Sequence, residues 1–251
     1  MVNLKVNNEI INNINLVIFD RDGTLIDLYH YWSQMIKMRA YLISEKFFLS
    51  KDDTNRIVFE MGVDQENNCL RPEGPVGIKK REIVMQAAVD YLEAKGYKKA
   101  YEVCLDCFKD IDVQTENKLD GLIKPINGML SLIDSLHSKS CKLAIATTDK
   151  TSRAELSMDY LKLTDKFACI IGCDAVDNPK PASDMIDYIT KKLNIKKEES
   201  VMIGDAITDI KMGDNAKVKA SIAVSSGITP KEQLGALTKF LIDDVSKIEV
   251  F

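Results

Sequence analysis

Short runs of consecutive apolar residues recur along the second half of the chain and occur once near its start. Runs of this kind, without polar alternation, are typical of strands buried on both faces of a parallel sheet. The predicted strands are residues 14–20, 142–147, 168–172, 201–204, 221–224 and 240–242. Helical spacing of apolar residues separates several of them, as in 129–136 and 185–193. This alternation predicts an α/β fold with an open, doubly wound parallel sheet.

The alternation breaks between about residues 27 and 120, where no convincing strand run is found. The predicted helices there lie at residues 32–47, 84–92 and 100–111, with a Gly/Pro-rich break at 71–77. A block of about ninety residues is too long for a loop and is expected to fold as a domain. The predicted domains are therefore a core of residues 1–26 and 120–251 and an inserted all-helical domain of residues 27–119.

Composition narrows the class of protein further. The chain has 251 residues, of which 45% are apolar and 29% charged, and its formal net charge is −4. Those values are typical of a globular protein with a sizeable core and argue against a broadly basic nucleic-acid surface. No apolar run approaches the roughly 18 residues of a membrane span, and the first residues lack the features of a secretion signal. We expect a cytoplasmic protein that binds neither membrane nor nucleic acid.

Six cysteines invite a redox or zinc interpretation, because Cys104 and Cys107 form a C-x-x-C. The two residues also fall on the apolar stripe of the predicted helix at 100–111, together with Phe108 and Ile111. The sequence contains no second C-x-x-C and only two histidines. We therefore predict that these thiols are reduced and structural, like those at positions 141, 169 and 173.

Polar residues that could carry chemistry follow the predicted strands. Ligands of open α/β sheets bind beyond the carboxyl ends of the strands, so these side chains are expected to meet at one edge. The candidates are Asp20, Asp22, Gly23 and Thr24 after the first strand, Thr147 and Thr148 after the second, Lys180 in a Pro-containing segment, and Asp205 and Asp209 after the strand at 201–204.

These residue types suit phosphoryl transfer. Grouped carboxylates repel one another unless a cation neutralises them, and their hard oxygen atoms select Mg²⁺. One carboxylate can attack phosphorus as a nucleophile, and a second can protonate the leaving oxygen and then activate water. A lysine and a hydroxyl can offset charge on the phosphoryl oxygens. Each feature alone is common, but the whole set in this order predicts a phosphoryl-transfer site.

The same residues resemble the motifs of the haloacid dehalogenase superfamily of phosphohydrolases. Residues 19–25 (FDRDGTL) are similar to its first motif, D-x-D-G-T, and Thr147 matches the second motif. Lys180 matches the third motif, and residues 204–209 match the fourth. The resemblance runs from about residue 14 to the end and is closest to the phosphoglycolate phosphatase-like branch. It implies a Rossmann-like core with a helical cap.

The resemblance also implies a role for each carboxylate. Asp20 would be the nucleophile and a metal ligand, and Asp22 would be the general acid/base, with its backbone carbonyl on Mg²⁺. Asp205 would complete the metal site. Asp209 would bind the metal through water or brace Lys180.

Four further residues at this edge have expected roles. Thr147 and Lys180 would hold the phosphoryl group, and Thr148 is a candidate substrate contact. Arg21 stands where many capped members of the superfamily have an apolar residue. Because neighbouring side chains on an extended strand end point in opposite directions, we expect Arg21 to point away from the nucleophile, in a structural or surface role.

The predicted cap contains candidate residues for binding an anionic substrate. They are Arg71, Lys79, Lys80 and Arg81, and a solvated basic patch is the simpler interpretation for any one of them. Tyr29 and His30 could line the cleft, although packing at the hinge is the commoner role for residues in that position.

Together these expectations predict a Mg²⁺-dependent phosphatase that hydrolyses a small-metabolite phosphate monoester through an aspartyl-phosphate. Asp22 favours phosphatase chemistry over C–halogen cleavage, because the dehalogenase branch lacks this second aspartate. A sugar phosphomutase, a phosphonate hydrolase and a non-enzymatic metabolite-binding regulator remain alternatives. The sequence identifies neither the phosphate ester nor the oligomeric state.

Overall fold

The described chain divides into two compact units. The computed structural model describes residues 1–116 and 119–251. One unit comprises Met1–Asp27 and Pro125–Phe251, and the other comprises Leu28–Lys124. The second segment of the core unit thus begins at Pro125, whereas residue 120 was predicted. Residues 117 and 118 of the predicted inserted domain lie outside the described residues.

The elements are labelled in chain order. The strands are β1 (Val2–Val6), β2 (Glu9–Ile14), β3 (Leu16–Phe19), β4 (Val63–Asp64), β5 (Cys69–Leu70), β6 (Lys142–Ala146), β7 (Cys169–Ile171), β8 (Ser200–Gly204), β9 (Ala220–Val224), β10 (Leu241–Ile242) and β11 (Ile248–Val250). The helices are α1 (Leu28–Phe47), α2 (Lys51–Glu60), α3 (Arg81–Ala94), α4 (Ala100–Glu116), α5 (Met129–Ser138), α6 (Thr151–Tyr160), α7 (Asp184–Leu193), α8 (Ile207–Ala216) and α9 (Lys231–Gly235).

A parallel six-stranded sheet forms the centre of the core unit. Its strand order is β10-β9-β8-β3-β6-β7, and every pairing in it is parallel. Each of the six apolar runs identified in the sequence overlaps one of these strands. The prediction of an α/β fold with a parallel sheet is therefore confirmed.

Alternating side chains of the sheet strands enter two separate apolar layers. In β3, Val17 and Phe19 belong to one cluster, which includes residues of α5 and α6. Leu16 and Ile18 belong to the other cluster, which includes residues of α7 and α8. This division follows from the two-residue period of a strand. The sheet is consequently buried on both faces, as the uninterrupted apolar runs predicted.

The central strand β3 lies at the point where the order of the sheet reverses. After β3 the chain adds β6 and β7 on one side, and it then adds β8, β9 and β10 on the other. In register, Phe19 lies opposite Ile145 of β6 and Ile203 of β8. Ligand sites of doubly wound sheets lie beyond the strand ends at such a reversal. The fold therefore brings the loops after β3, β6 and β8 to one edge.

A second sheet of the core unit was missed by the sequence analysis. Strands β1, β2 and β11 form an antiparallel sheet in the order β11-β1-β2. Its inward side chains, including Leu4 and Ile14, join the same apolar cluster as residues of α5. Val2, Leu4 and Val6 are buried at alternate positions, and that alternation is the sequence signal that could have revealed β1.

The second unit contains α1 to α4 and a small β4–β5 hairpin. The sequence analysis predicted α1, α3 and α4 but neither α2 nor the hairpin. Arg39 of α1 and Arg81 of α3 each donate at 2.9 Å to Asp112 of α4, which ties three helices together. Cys104 and Cys107 are free, buried thiols of α4, as predicted. Among the described residues, no helix combines the length and the apolar character that a membrane span requires.

The antiparallel sheet gives a direct stability test. Ile11→Ala removes a buried side chain and should lower the free energy of unfolding by about 2–5 kcal/mol. Its neighbour on the same strand, Ile10, is 51% exposed, so Ile10→Ala is a matched control with a much smaller effect. Urea denaturation measures both. Equal losses would contradict the assigned packing of β2.

Candidate active site

Asp20 and Lys180 form a buried ion pair at the end of the central strand. Asp20 follows β3 directly, and its backbone N–H donates to the carbonyl of Ile203 in β8 at 2.8 Å. Lys180 Nζ donates to Asp20 Oδ1 at 2.6 Å and lies 2.6 Å from Asp209 Oδ1. Burial opposes the charge on Lys180, but the two carboxylates outweigh it and hold its pKa above the usual value. The lysine is therefore a fixed positive charge between two aspartates.

Asp205 follows β8 and lies in a narrow space between two loops. Thr24 Oγ1 donates to Asp205 Oδ1 at 3.3 Å, and the Ile228 N–H donates to Oδ2 at 3.2 Å. A Cβ on Gly23 would lie 2.6 Å from the carboxylate, and Gly23 has a φ of +82°. A Cβ on Gly227 would lie 1.7 Å from Asp205 Oδ2. Both glycines are required by the close approach of this carboxylate.

Asp20, Asp205 and Asp209 form a compact acidic cluster. One carboxylate oxygen from each lies within 4.8 Å of the others, and all three residues are buried. Burial raises the pKa of Asp20 to about 6 although Lys180 lowers it. Burial and the charge of Asp20 raise the pKa of Asp205. Three carboxylates with one lysine leave two formal negative charges that water reaches poorly.

This donor set fits a divalent, oxygen-preferring cation. A cation of charge +2 would balance the two excess negative charges, and Mg²⁺ is bound through one or two carboxylates together with water and substrate oxygen. Asp20 and Asp205 are the residues that would hold it. Asp209 is engaged with Lys180, in the geometry of the bracing alternative. Its second oxygen, Oδ2, accepts a hydrogen bond from the Ala206 N–H at 2.9 Å.

Arg21 is fully buried, so the surface alternative considered for it is wrong. Its Nε and Nη2 donate to the two carboxylate oxygens of Asp22, each at 2.8 Å. Nη2 also donates to Asp149 Oδ2 at 2.8 Å. Burial raises the pKa of Asp22 even though Arg21 opposes the shift. Asp22 is therefore held in a salt bridge separate from the acidic cluster.

The loop after β6 contains Thr147, Thr148 and Asp149. Thr147 is buried, and its Oγ1 accepts a hydrogen bond from the Asp149 N–H at 3.2 Å. Thr148 is exposed. The sequence analysis overlooked Asp149, although its position just after a predicted strand was a usable signal. Despite the cost of burial, Arg21 and the Lys150 N–H hold the pKa of Asp149 below its usual value.

The candidate substrate-binding residues of the second unit have varied surroundings. Arg71 contacts Glu73 at 2.9 Å and stacks on Phe59, and Arg81 pairs with Asp112. Lys79 and Lys80 are exposed. Tyr29 contacts Asn68, and His30 lies 2.6 Å from the Gly121 carbonyl. Contacts of these residues with a substrate stay predictions.

Comparison with known families identifies the class of this protein. Residues 73–224, more than half of the chain, match the model of the haloacid dehalogenase-like hydrolases. The chain belongs to this family, which confirms the resemblance drawn from the motifs. The matched range contains Thr147, Lys180 and Asp205, and it begins after Asp20 and Asp22.

Curated relatives match part of the chain. A segment covering 41% of it is 35% identical to pyrophosphatase PpaX of Halalkalibacterium halodurans, of which it covers 48%. The pyrophosphatase PpaX of Anoxybacillus flavithermus is 30% identical over 51% of the chain and 60% of its own length. The chain thus spans about half the length of the curated relatives it matches.

Solved structures share the fold over nearly the whole chain. A predicted phosphoglycolate phosphatase from Haemophilus somnus superposes with a TM-score of 0.70 at 15% identity, covering 94% of this chain and 96% of that one. A protein from Thermotoga maritima provisionally named β-phosphoglucomutase gives a TM-score of 0.62 at 22% identity, covering 91% and 94%. At these identities the likeness establishes the fold.

Removing one charge from the acidic cluster should separate metal binding from stability. Without metal, Asp205→Asn should unfold at a temperature no lower than the parent protein, because it relieves repulsion between buried carboxylates. Saturating Mg²⁺ should stabilise the parent by about 2.7 kcal/mol at 100 times the dissociation constant, and Asp205→Asn should lose this gain. Thermal unfolding with and without EDTA measures both effects. Asp174→Asn, outside the cluster, is the control and should keep the full gain.

The raised pKa of Asp20 predicts a pH dependence in metal-free protein. The folded state holds this proton up to about pH 6, whereas the ordinary pKa is 3.8. The resulting stability is complete below about pH 4 and is lost as pH rises through 6, by roughly 1–3 kcal/mol. Urea unfolding in EDTA measures the free energy of unfolding between pH 4.5 and 7.5. This free energy should fall less steeply with rising pH in Asp20→Asn than in the parent protein. The same pH dependence in both proteins would argue against a raised pKa of Asp20.

Proposed function

We propose that this protein is a Mg²⁺-dependent phosphatase that hydrolyses a phosphate monoester of a small molecule through an aspartyl-phosphate. The observation that carries the proposal is the buried cluster of Asp20, Asp205 and Asp209 around Lys180. It lies at the reversal point of a parallel sheet, where α/β proteins bind ligands. Its two excess negative charges match a divalent cation, and its lysine suits a phosphoryl oxygen.

In this mechanism the Asp20 carboxylate attacks phosphorus, and the bond to the ester oxygen breaks. Asp22 gives a proton to that leaving oxygen. In the second half, Asp22 accepts a proton from water as the water oxygen attacks phosphorus and releases Asp20. Lys180 and Thr147 would stabilise the charge on the equatorial phosphoryl oxygens. Bound Mg²⁺ would offset negative charge between Asp20 and the phosphoryl group.

Family membership supports hydrolysis, and the relatives suggest which phosphates to test. The curated relatives are named pyrophosphatases, so inorganic pyrophosphate is a second candidate substrate alongside phosphate monoesters. Phosphoglycolate is the monoester suggested by the motifs and by the name of the structure from Haemophilus somnus. A phosphomutase would instead convert a sugar 1-phosphate into an isomer without net release of phosphate.

A phosphate-release assay with paired variants tests the proposal. Purified protein with Mg²⁺ is expected to release phosphate from phosphoglycolate, pyrophosphate or an aryl phosphate, and EDTA should abolish the release. Asp20→Asn should remove turnover, because no covalent intermediate can form. Asp22→Asn should lower kcat by about 10²–10⁴-fold.

Three results would contradict this assignment. Nearly normal turnover by Asp20→Asn would require another nucleophile. Isomerisation of glucose 1-phosphate without phosphate release would favour the phosphomutase alternative. Parent protein that binds Mg²⁺ but turns over no phosphate compound would support the non-enzymatic regulator.

A further inference from the structure

The side chain of Arg21 divides the carboxylates of the site into two groups. Lys180 forms salt bridges with Asp20 and Asp209, whereas Arg21 forms salt bridges with Asp22 and Asp149. Although Asp22 is only two residues from Asp20, its carboxylate does not belong to the compact acidic cluster found among the described residues. Arg21 therefore holds a fourth carboxylate apart from the three of the acidic cluster.

The contact between Arg21 and Asp22 fixes an orientation as well as a charge. Nε and Nη2 reach both carboxylate oxygens at 2.8 Å, which is the bidentate geometry of a planar guanidinium. Such a pair sets the plane of the carboxylate, and the ammonium group of a lysine cannot reproduce it. Rotation of the Asp22 side chain would break two charge-assisted hydrogen bonds at once.

Asp149 accepts a further hydrogen bond from Nη2, the same nitrogen that donates to Asp22 Oδ2, and is itself firmly anchored. Its carboxylate accepts from the Lys150 N–H at 2.8 Å, and its carbonyl accepts from the Cys173 N–H at 3.0 Å. Its own N–H donates to Thr147 Oγ1. The chain of contacts from Asp22 through Arg21 to Asp149 thus joins the loop after β3 to the loop that contains Thr147.

Stability alone is a weak reason for such an arrangement. Taking charges out of water is costly, and apolar residues of similar size often replace buried ion pairs without loss of stability. A fixed carboxylate plane has a clear benefit for proton transfer, because a displacement of about 1 Å in a catalytic group can cost 10²-fold in rate.

We propose that Arg21, anchored by Asp149, is a positioning residue that holds the Asp22 carboxyl group in the orientation needed to protonate the leaving oxygen. The proposal rests on the proposed phosphatase function, in which Asp22 performs this step. As the P–O bond breaks, its electron pair stays on the leaving oxygen, and the proton of Asp22 moves to that oxygen. Arg21 takes no part in bond making and acts through Asp22.

The test measures kcat/KM for aryl phosphates whose leaving groups range from 2,4-dinitrophenol to phenol. This ratio reports cleavage of the ester bond, whereas kcat also contains hydrolysis of the aspartyl-phosphate, in which Asp22 acts for every substrate alike. A poor leaving group needs the proton in the transition state, and a good one does not. Arg21→Met is expected to lower kcat/KM for phenyl phosphate by about 10²-fold and for dinitrophenyl phosphate by less than about 10-fold. Inhibition by inorganic phosphate should change little, because phosphate binding is left to Lys180 and Thr147.

A double-mutant cycle separates positioning from general damage to the fold. If Arg21 acts through Asp22, adding Arg21→Met to Asp22→Asn should lower the rate by less than about a further twofold. Proton transfer by Asp22 is already lost in that background. Arg39→Met is the matched control, because it removes a buried arginine that also pairs with an aspartate, Asp112. It should leave the dependence on the leaving group unchanged.

If Arg21→Met does not fold, Asp149→Asn provides the test, because it keeps the pair between Arg21 and Asp22. It should show the same leaving-group dependence at smaller size, with thermal unfolding confirming a folded protein. Equal losses of kcat/KM for all leaving groups, or a full additional loss in the Asp22→Asn background, would overturn the positioning role and leave the phosphatase assignment intact. Parent protein that hydrolyses no phosphate compound would overturn the phosphatase assignment and this proposal with it.

Discussion

Buried negative charge at the end of the central strand is the constraint on which the site depends. Five aspartates meet there with two cationic side chains: Asp20, Asp22, Asp149, Asp205 and Asp209, with Lys180 and Arg21. Carboxylates in a medium that screens poorly repel one another strongly, so their proximity has to be imposed by the surrounding fold. Here β3, β6 and β8 impose it, because their ends are fixed in register within a sheet buried on both faces. Folding energy from the apolar layers thus maintains an arrangement that is unfavourable locally.

The parts of the fold that were predictable have a local signature. Strands buried on both faces appear as continuous apolar runs, and all six strands of the parallel sheet were found in this way. The loops that follow neighbouring parallel strands lie at one edge of the sheet. This rule was enough to predict from the sequence that Asp20, Asp205 and Lys180 lie close together.

The parts that were missed depend on partners far away in the sequence. The burial of Arg21 follows from Asp149, 128 residues later, and no pattern around position 21 reveals that partner. Helix α2 was missed because only Thr54, Ile57 and Val58 of its ten residues are buried, which is too few for a clear stripe. In the antiparallel sheet, β1 pairs with β11 from the far end of this sequence, and no local sequence pattern indicates that pairing.

The pairing of β1 with β11 also affects how the protein folds during synthesis. Leu4 lies opposite Val250, so one edge of β1 stays open until β11 has been made. At roughly 5–20 residues per second, that interval lasts about 10–50 s. An unpaired strand edge is a template for pairing with other chains. The nascent protein therefore carries an aggregation-prone edge until β11 is made, and a chaperone that covers β1 would have most effect in that interval.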